Sequence, residues 1–324
     1  MSFCRSFCRC CVPRLNEHDF RMSVEDFDDE YTEKAEEVFK PPVWSILCAN
    51  GDRFLYSTSN IVHLVQIQSD ENDVEISLDK EEIMCSAQLI DMQQEYIVGG
   101  RRKRAYLLSS NLKEYEILEG QHNFPIMGVG CTKEMLWTGG RDGYVILYEK
   151  TEGHEVVMQH SVNRHVVTDM KVLSYDRDQV LTSGEDKRII MWTPFNQERE
   201  FSFGMHYPNR LAVINSSLFV AGYNGSSGSG GELVLFDIEQ DKAVDHIAPL
   251  HGRVNGLCVV DGHSVVAAYN TGTVVHWNTE TGAVSRHDTS TPLLSIGFNS
   301  PTSTFALGTA NFGTIYRSYN EIVG

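Results

Sequence analysis

The densest reactive chemistry in the chain lies within its first eleven residues, where Cys4, Cys8, Cys10 and Cys11 stand among Phe3, Phe7, Arg5 and Arg9. Thiols beside cations and aromatics present the chemistry of S-acylation, and two or more acyl chains would give lasting membrane attachment. Met1-Ser2 lacks the glycine that myristoylation needs. Metal binding is a rival, but Cys4-x3-Cys8-x-Cys10-Cys11 lacks the paired Cys-x2-Cys spacing, and His18 is the nearby imidazole. The remaining reading is a tail whose thiols do nothing.

Other reactive side chains form no catalytic pattern. There is no Gly-x-Ser-x-Gly elbow, His-Glu-x-x-His pair or kinase-like set. His154, His246 and His263 are isolated, and Asp176 and Asp178 sit in a predicted turn where solvation explains them. The run Gly222 to Gly231 is rich in glycine and serine, yet no Gly-Lys-Ser/Thr follows and no helix begins there, so it reads as a flexible hairpin tip. The expectation is a protein with no catalytic residues, cofactor or metal.

The elements that position these side chains are set by a repeat. A short apolar strand ending in small residues recurs at Phe54, Tyr96, Leu136, Val180, Phe219, Val265 and Phe305, at intervals of 39 to 46 residues. That length holds four short antiparallel strands with their turns, one blade of a propeller. One blade cannot bury both its faces, so seven must stack radially and close. The predicted fold is all-β, a seven-bladed β-propeller of four-stranded antiparallel blades over 36–324. Cys48, Cys85, Cys131 and Cys258 fall in four predicted innermost strands and read as small core residues. The seventh unit has chain for only three strands, and Glu37-Val38-Phe39-Lys40 is placed to supply its fourth, covering an open sheet edge.

The units also share a sequence. Thr138-Gly139-Gly140-Arg141-Asp142 through Tyr148, and Thr182-Ser183-Gly184-Glu185-Asp186 through Trp192, each carry a strand hydroxyl, a turn Asp and an aromatic at the same spacing. A third copy keeps Trp277 but has Thr271 in the Asp place. Histidines stand upstream, at His122, His160, His206, His251 and His287. This pattern resembles the WD-repeat (WD40-like) β-propeller family, of which the chain looks like a divergent member over about residues 38 to 320. The resemblance implies a buried structural relay of His160, Thr182, Asp186 and Trp192, with His122, Thr138 and Asp142 in the preceding blade. Arg102, Asn60 and Asn311 replace the Asp in the second, first and seventh units.

Charge narrows the partners. A formal net charge of −17 opposes nonspecific nucleic-acid binding, which depends on Lys and Arg displacing phosphate counterions. No run of about 18 apolar residues spans a membrane, and no signal-peptide core opens the chain, so the expected compartment is the cytoplasm, with nucleus or membrane surface as alternatives. Residues 1–35 read as a disordered tail, Cys/Arg-rich and then acidic. Against the acidic background, the predicted top loops hold Arg101, Arg102, Lys103, Arg104, Arg141, Lys187 and Arg188, and the turns between blades add Arg164, Arg210 and Arg253. Such a rim would steer an acidic or phosphorylated peptide to the channel mouth.

The function these readings support is a noncatalytic protein–protein interaction scaffold, membrane-tethered if the tail is acylated. One alternative is a peripheral lipid-binding propeller, although Arg101-Arg102 lacks the Phe and Gly flanks of phosphoinositide-binding propellers. The other is a ubiquitin-ligase substrate receptor, although Trp192 and Trp277 are followed by Thr193 and Asn278 rather than by that docking signature.

Overall fold

The computed structural model describes residues 40–67, 73–120, 122–151, 153–162, 164–225, 230–250 and 252–323. One compact unit runs from Phe39 to Gly324. The predicted tail, its four cysteines and most of the predicted closing strand fall outside the described residues.

Seven antiparallel sheets follow one another along the chain. The first is β1 to β4 (Ile46–Ala49, Arg53–Thr58, Ile61–Gln66, Val74–Ser77) and the second β5 to β8 (Ile83–Gln88, Tyr96–Gly100, Ala105–Leu108, Tyr115–Leu118). The third is β9 to β12 (Ile126–Cys131, Met135–Gly140, Tyr144–Glu149, Val156–Ser161) and the fourth β13 to β16 (Val167–Ser174, Gln179–Gly184, Arg188–Trp192, Gln197–Ser202). The fifth is β17 to β20 (Pro208–Val213, Leu218–Tyr223, Gly231–Asp237, Lys242–Leu250) and the sixth β21 to β24 (Val254–Val259, Ser264–Tyr269, Thr273–Asn278, Val284–Asp288). The seventh has three described strands, β25 to β27 (Leu293–Asn299, Thr304–Thr309, Thr314–Ser318), and a short helix α1 (Tyr319–Val323) follows. Each innermost strand touches that of the next blade, and β25 returns to β1, which closes the ring.

The sequence dictates this stacking because each second strand is apolar on both faces. All of β6 and β22 is buried, whereas β12 is exposed along most of its length. A strand covered by neighbouring blades on both sides has no solvent face on which to alternate polar residues. Aromatics fill the gaps between blades: Phe219 stacks on Phe236 with centroids 4.9 Å apart, and Phe201 from the preceding blade meets Phe219 edge-on at 5.3 Å. Near the axis the strands crowd. A Cβ on Gly128 would stand 2.3 Å from the Met170 Cβ, so only glycine fits there.

Blades two to seven repeat one irregularity. Their innermost strands skip a pairing near the top, leaving Met84, Met127, Thr168, Asn209, Asn255 and Leu294 outside the ladder. These bulges re-aim side chains. Thr168 Oγ1 donates to the Pro208 carbonyl (2.7 Å), Asn209 Nδ2 to that of Val254, and Asn255 Nδ2 to that of Leu293 (2.8 Å), so each ties its blade to the next. Ser295 Oγ continues the series to the Val43 carbonyl at 2.7 Å.

The ring's seam joins the seventh blade to the start of the described chain. Lys40 N–H donates to the Asn311 carbonyl (2.7 Å) and Val43 N–H to that of Thr309 (3.1 Å), while Asn299 Nδ2 reaches the Gly51 carbonyl at 3.0 Å. Lys40, the last residue of the predicted closing strand, thus sits beside the β26–β27 turn. Cys48, Cys85, Cys131 and Cys258 lie on β1, β5, β9 and β21 as free thiols, where burial raises the pKa of Cys48 and pushes Cys85 and Cys258 up to about 12.

Candidate partner-binding face and the blade relays

The fourth-blade relay is built on His165, not His160. His165 Nδ1 lies 2.9 and 3.0 Å from the two Asp186 oxygens, and its Nε2 lies 2.9 Å from Thr182 Oγ1. Trp192 Nε1 donates to the same hydroxyl at 2.8 Å. The ionised carboxylate accepts only, so Nδ1 carries a proton toward Asp186, while Thr182 Oγ1 bridges Nε2 and the indole N–H, which it accepts. Burial would raise the Asp186 pKa, but hydrogen bonds and charge from His165, then Arg188, outweigh it and hold the carboxyl below its ordinary value.

His160 lies on β12 of the third blade, where it bonds the Pro194 carbonyl at 3.0 Å and stacks on Trp192 with centroids 5.4 Å apart. It covers the indole from outside because it stands 26 residues before Asp186, too far upstream to reach the turn, whereas His165 stands 21 before it. In the third blade His122 Nδ1 meets Asp142 at 3.0 Å and Nε2 meets Thr138 Oγ1 at 2.8 Å. Burial opposes ionisation of Asp142, but the hydrogen bond and charge of His122, followed by the Asn123 and Tyr144 N–H groups that donate to the carboxylate, overcome it, so this pKa is also lowered. Tyr148 replaces the indole and bonds Thr138.

The second blade keeps a relay with its acid moved, a device the sequence pattern did not reveal. Glu81, 1% exposed, occupies the histidine's place: a Cβ on Gly100 would strike it, as one on Gly140 would strike His122 and one on Gly184 would strike His165. Its Oε1 accepts the Arg102 backbone N–H, and Tyr106 Oη lies 3.5 Å from Oε2. Burial raises the Glu81 pKa more than these donors and the nearby arginines lower it. Arg102 stands where the third and fourth blades carry Asp, so the carboxylate reaches the turn from the opposite side.

The top of the ring opens into a cavity of about 460 Å³. Arg101, Arg141, Arg210 and Arg253 line it with Trp44, Tyr207 and five bulge residues, Met84, Met127, Thr168, Asn209 and Asn255, one from each of blades two to six, and Pro125, Val167, Glu82 and Glu185 complete it. Two arginines are paired: Arg101 with Glu82 at 2.8 Å and Arg141 with Glu185 at 2.6 Å. Trp44 Nε1 donates to the other Glu82 oxygen at 2.8 Å.

The remaining predicted rim residues divide. Arg102, Lys103 and Arg104 are exposed in the β6–β7 turn, where Arg104 approaches Asp79 at 3.6 Å, and Arg164 is exposed before β13. Lys187 adopts a left-handed φ of 73° at the β14–β15 turn. Two placements differ from expectation. Arg188 begins β15 and is bound to Asp186 (2.6 Å) and Glu200 (3.1 Å), so it reinforces the relay. Arg210 lies on β17 inside the channel rather than in an inter-blade turn, because that strand begins two residues earlier at Pro208. Of the other upstream histidines, His206 is in the loop before β17, His287 is on β24, and His251 is outside the described residues.

The fold is that of the WD40 β-propellers. Two solved structures superpose on it over most of their length: the WD40 β-propeller domain of Doa1, with a TM-score of 0.73 and 16% identity over 89% of this chain and 98% of that one, and U3-55K, with a TM-score of 0.71 and 12% identity over 83% of this chain and 89% of that one. No protein-family model and no curated protein matches the sequence.

Proposed function

We propose that this propeller is a noncatalytic interaction platform whose top face docks a protein or peptide, with the basic β6–β7 turn and channel mouth attracting acidic or phosphorylated groups. One observation carries the reading. The mouth cavity sets four arginines against two glutamates, a local excess of two positive charges, on a chain of net charge −17. Charge of the opposite sign to the rest of the surface steers partners and fixes their orientation. The buried His–Asp pairs serve the blades and give the face its rigidity. The test is Arg101→Glu, Arg102→Glu and Lys103→Glu together, with partner capture from lysate read at two ionic strengths. The expected result is weaker capture with less salt sensitivity and an unchanged melting temperature; capture equal to wild type at both ionic strengths would refute the assignment of this face.

A further inference from the structure

At the floor of the mouth cavity, charge stops balancing. Arg210 separates that cavity from a smaller one of about 80 Å³ deeper in the channel, and it lines both. Its Nε donates to the Asn255 carbonyl (2.7 Å) and one terminal nitrogen to those of Asn209 (2.9 Å) and Thr168 (3.2 Å). These acceptors fix the guanidinium without neutralising it. Asp169 is the carboxylate nearby, but Lys171 Nζ (3.1 Å) and the Met170 and Leu211 N–H groups already occupy its oxygens.

Arg253, exposed at the same cavity, has no carboxylate within 4.0 Å among the described residues, and neither does Arg210. Desolvation lowers the Arg210 pKa, Asp169 opposes this, and the charge of Arg253 lowers it again. A guanidinium does not escape by releasing its proton. The site therefore holds two adjacent, permanently positive forks facing a space with room for more than a single ion.

We infer that the floor of the mouth cavity is a phosphate-class oxyanion site, with the dianion held by Arg210 and Arg253. The planar, multi-donor forks match a tetrahedral oxyanion. This deepens the platform reading by naming the group that is read, and it moves the anchor inward from the exposed β6–β7 turn. The anion is supplied as free phosphate or as a phosphoryl group on a docked peptide, and the cavity volume accommodates a side chain behind it.

The experiment is calorimetric titration of the full chain with inorganic phosphate and with N-acetyl-phosphoserine amide, against sodium chloride of equal ionic strength. Saturable one-to-one binding of either probe is expected. Arg253→Gln should weaken it by about 10-fold or more, the scale of one hydrogen bond to a charged group, while Lys113→Gln, remote in the β7–β8 turn, should not. Arg253 makes no side-chain hydrogen bond to a described residue, so its variant should melt like wild type. Tighter binding of the blocked phosphoserine assigns the site to a peptide-borne group; equal or tighter binding of phosphate assigns it to the free ion. No saturable binding of either probe, or an Arg253→Gln affinity equal to wild type, would overturn the inference. If the rim variant still loses partner capture in that event, the platform reading stands without it.

Discussion

Replacing His165 and His160 separately by alanine distinguishes the ring that organises the fourth blade from the one that shields it. His165→Ala empties a fully buried site and leaves the Asp186 carboxylate, 9% exposed, without its imidazole donor. A group abandoned in this way costs about 1–3 kcal/mol, and the lost ring volume adds to it, for roughly 3–5 kcal/mol in all. His160→Ala removes a stack on Trp192 and one neutral hydrogen bond, together about 1–2 kcal/mol. At about 2.1 cal/mol/K of unfolding entropy per residue, a domain of this size loses roughly 5–8 °C of melting temperature in the first case and about 2–3 °C in the second. Calorimetry reads both. Adding Asp186→Ala to His165→Ala should cost less than the sum of the single changes, because the partners are in contact. A larger loss for His160→Ala than for His165→Ala would refute the relay as drawn.

The pH dependence follows from the lowered pKa values of Asp142 and Asp186: their stabilisation is complete above the unfolded aspartate value of about 3.9 and disappears as pH falls through the folded values. The double Asp142→Asn, Asp186→Asn variant should therefore show a flatter acid limb in melting temperature than wild type. Glu81 has the opposite sign, since a raised folded pKa makes the native state lose stability as pH rises past the unfolded glutamate value of about 4.3. Glu81→Gln, which retains an acceptor for the Arg102 N–H, should gain in melting temperature relative to wild type between pH 4 and pH 7, and a loss at pH 7 would contradict the assignment. Gly128→Ala should destabilise by several kcal/mol, about the cost of strong overpacking, whereas Gly262→Ala, which meets nothing within 4 Å, should be neutral. Iodoacetamide at pH 8 should leave Cys85 and Cys258 unmodified in the native protein, as mass spectrometry of its peptides would show, because burial disfavours both thiolates.

The period and the second strands were legible because sandwiching between blades demands continuous apolar runs, and Phe54, Tyr96, Leu136, Val180, Phe219, Val265 and Phe305 all fall on those strands. The relay histidine was legible in principle: His122 precedes Asp142 by 20 residues and His165 precedes Asp186 by 21, and that interval rather than mere position upstream selects His165. Glu81 left no such signal, since a search for histidine before and aspartate after the strand misses a blade that exchanges the acid between those places. Arg210 was misplaced because strand onset at Pro208 and the bulge at Asn209 answer to crowding between blades, which a linear pattern does not encode.

The bulge series makes the ring mechanically uneven. From the fourth blade to the seventh, Thr168, Asn209 and Asn255 sew each innermost strand to the next with a side-chain hydrogen bond, and Ser295, beside the seventh bulge, bonds the Val43 carbonyl just ahead of β1. Met84 and Met127 hold the corresponding places in the second and third blades, and a thioether has no proton to donate. Between the second and third blades the tie is a thiol, Cys85 Sγ to the Ile126 carbonyl at 3.7 Å, longer and weaker than the others, so the closed hoop has a stitched arc and a more compliant arc held there by packing and that one soft bond. Arg101 and Arg141 ride on the compliant arc, whereas Arg210 and Arg253 ride on the stitched one. A ligand gripping both would span a stiff jaw and a yielding jaw, so deformation on docking should concentrate in blades two and three, where amide hydrogen exchange would register it first.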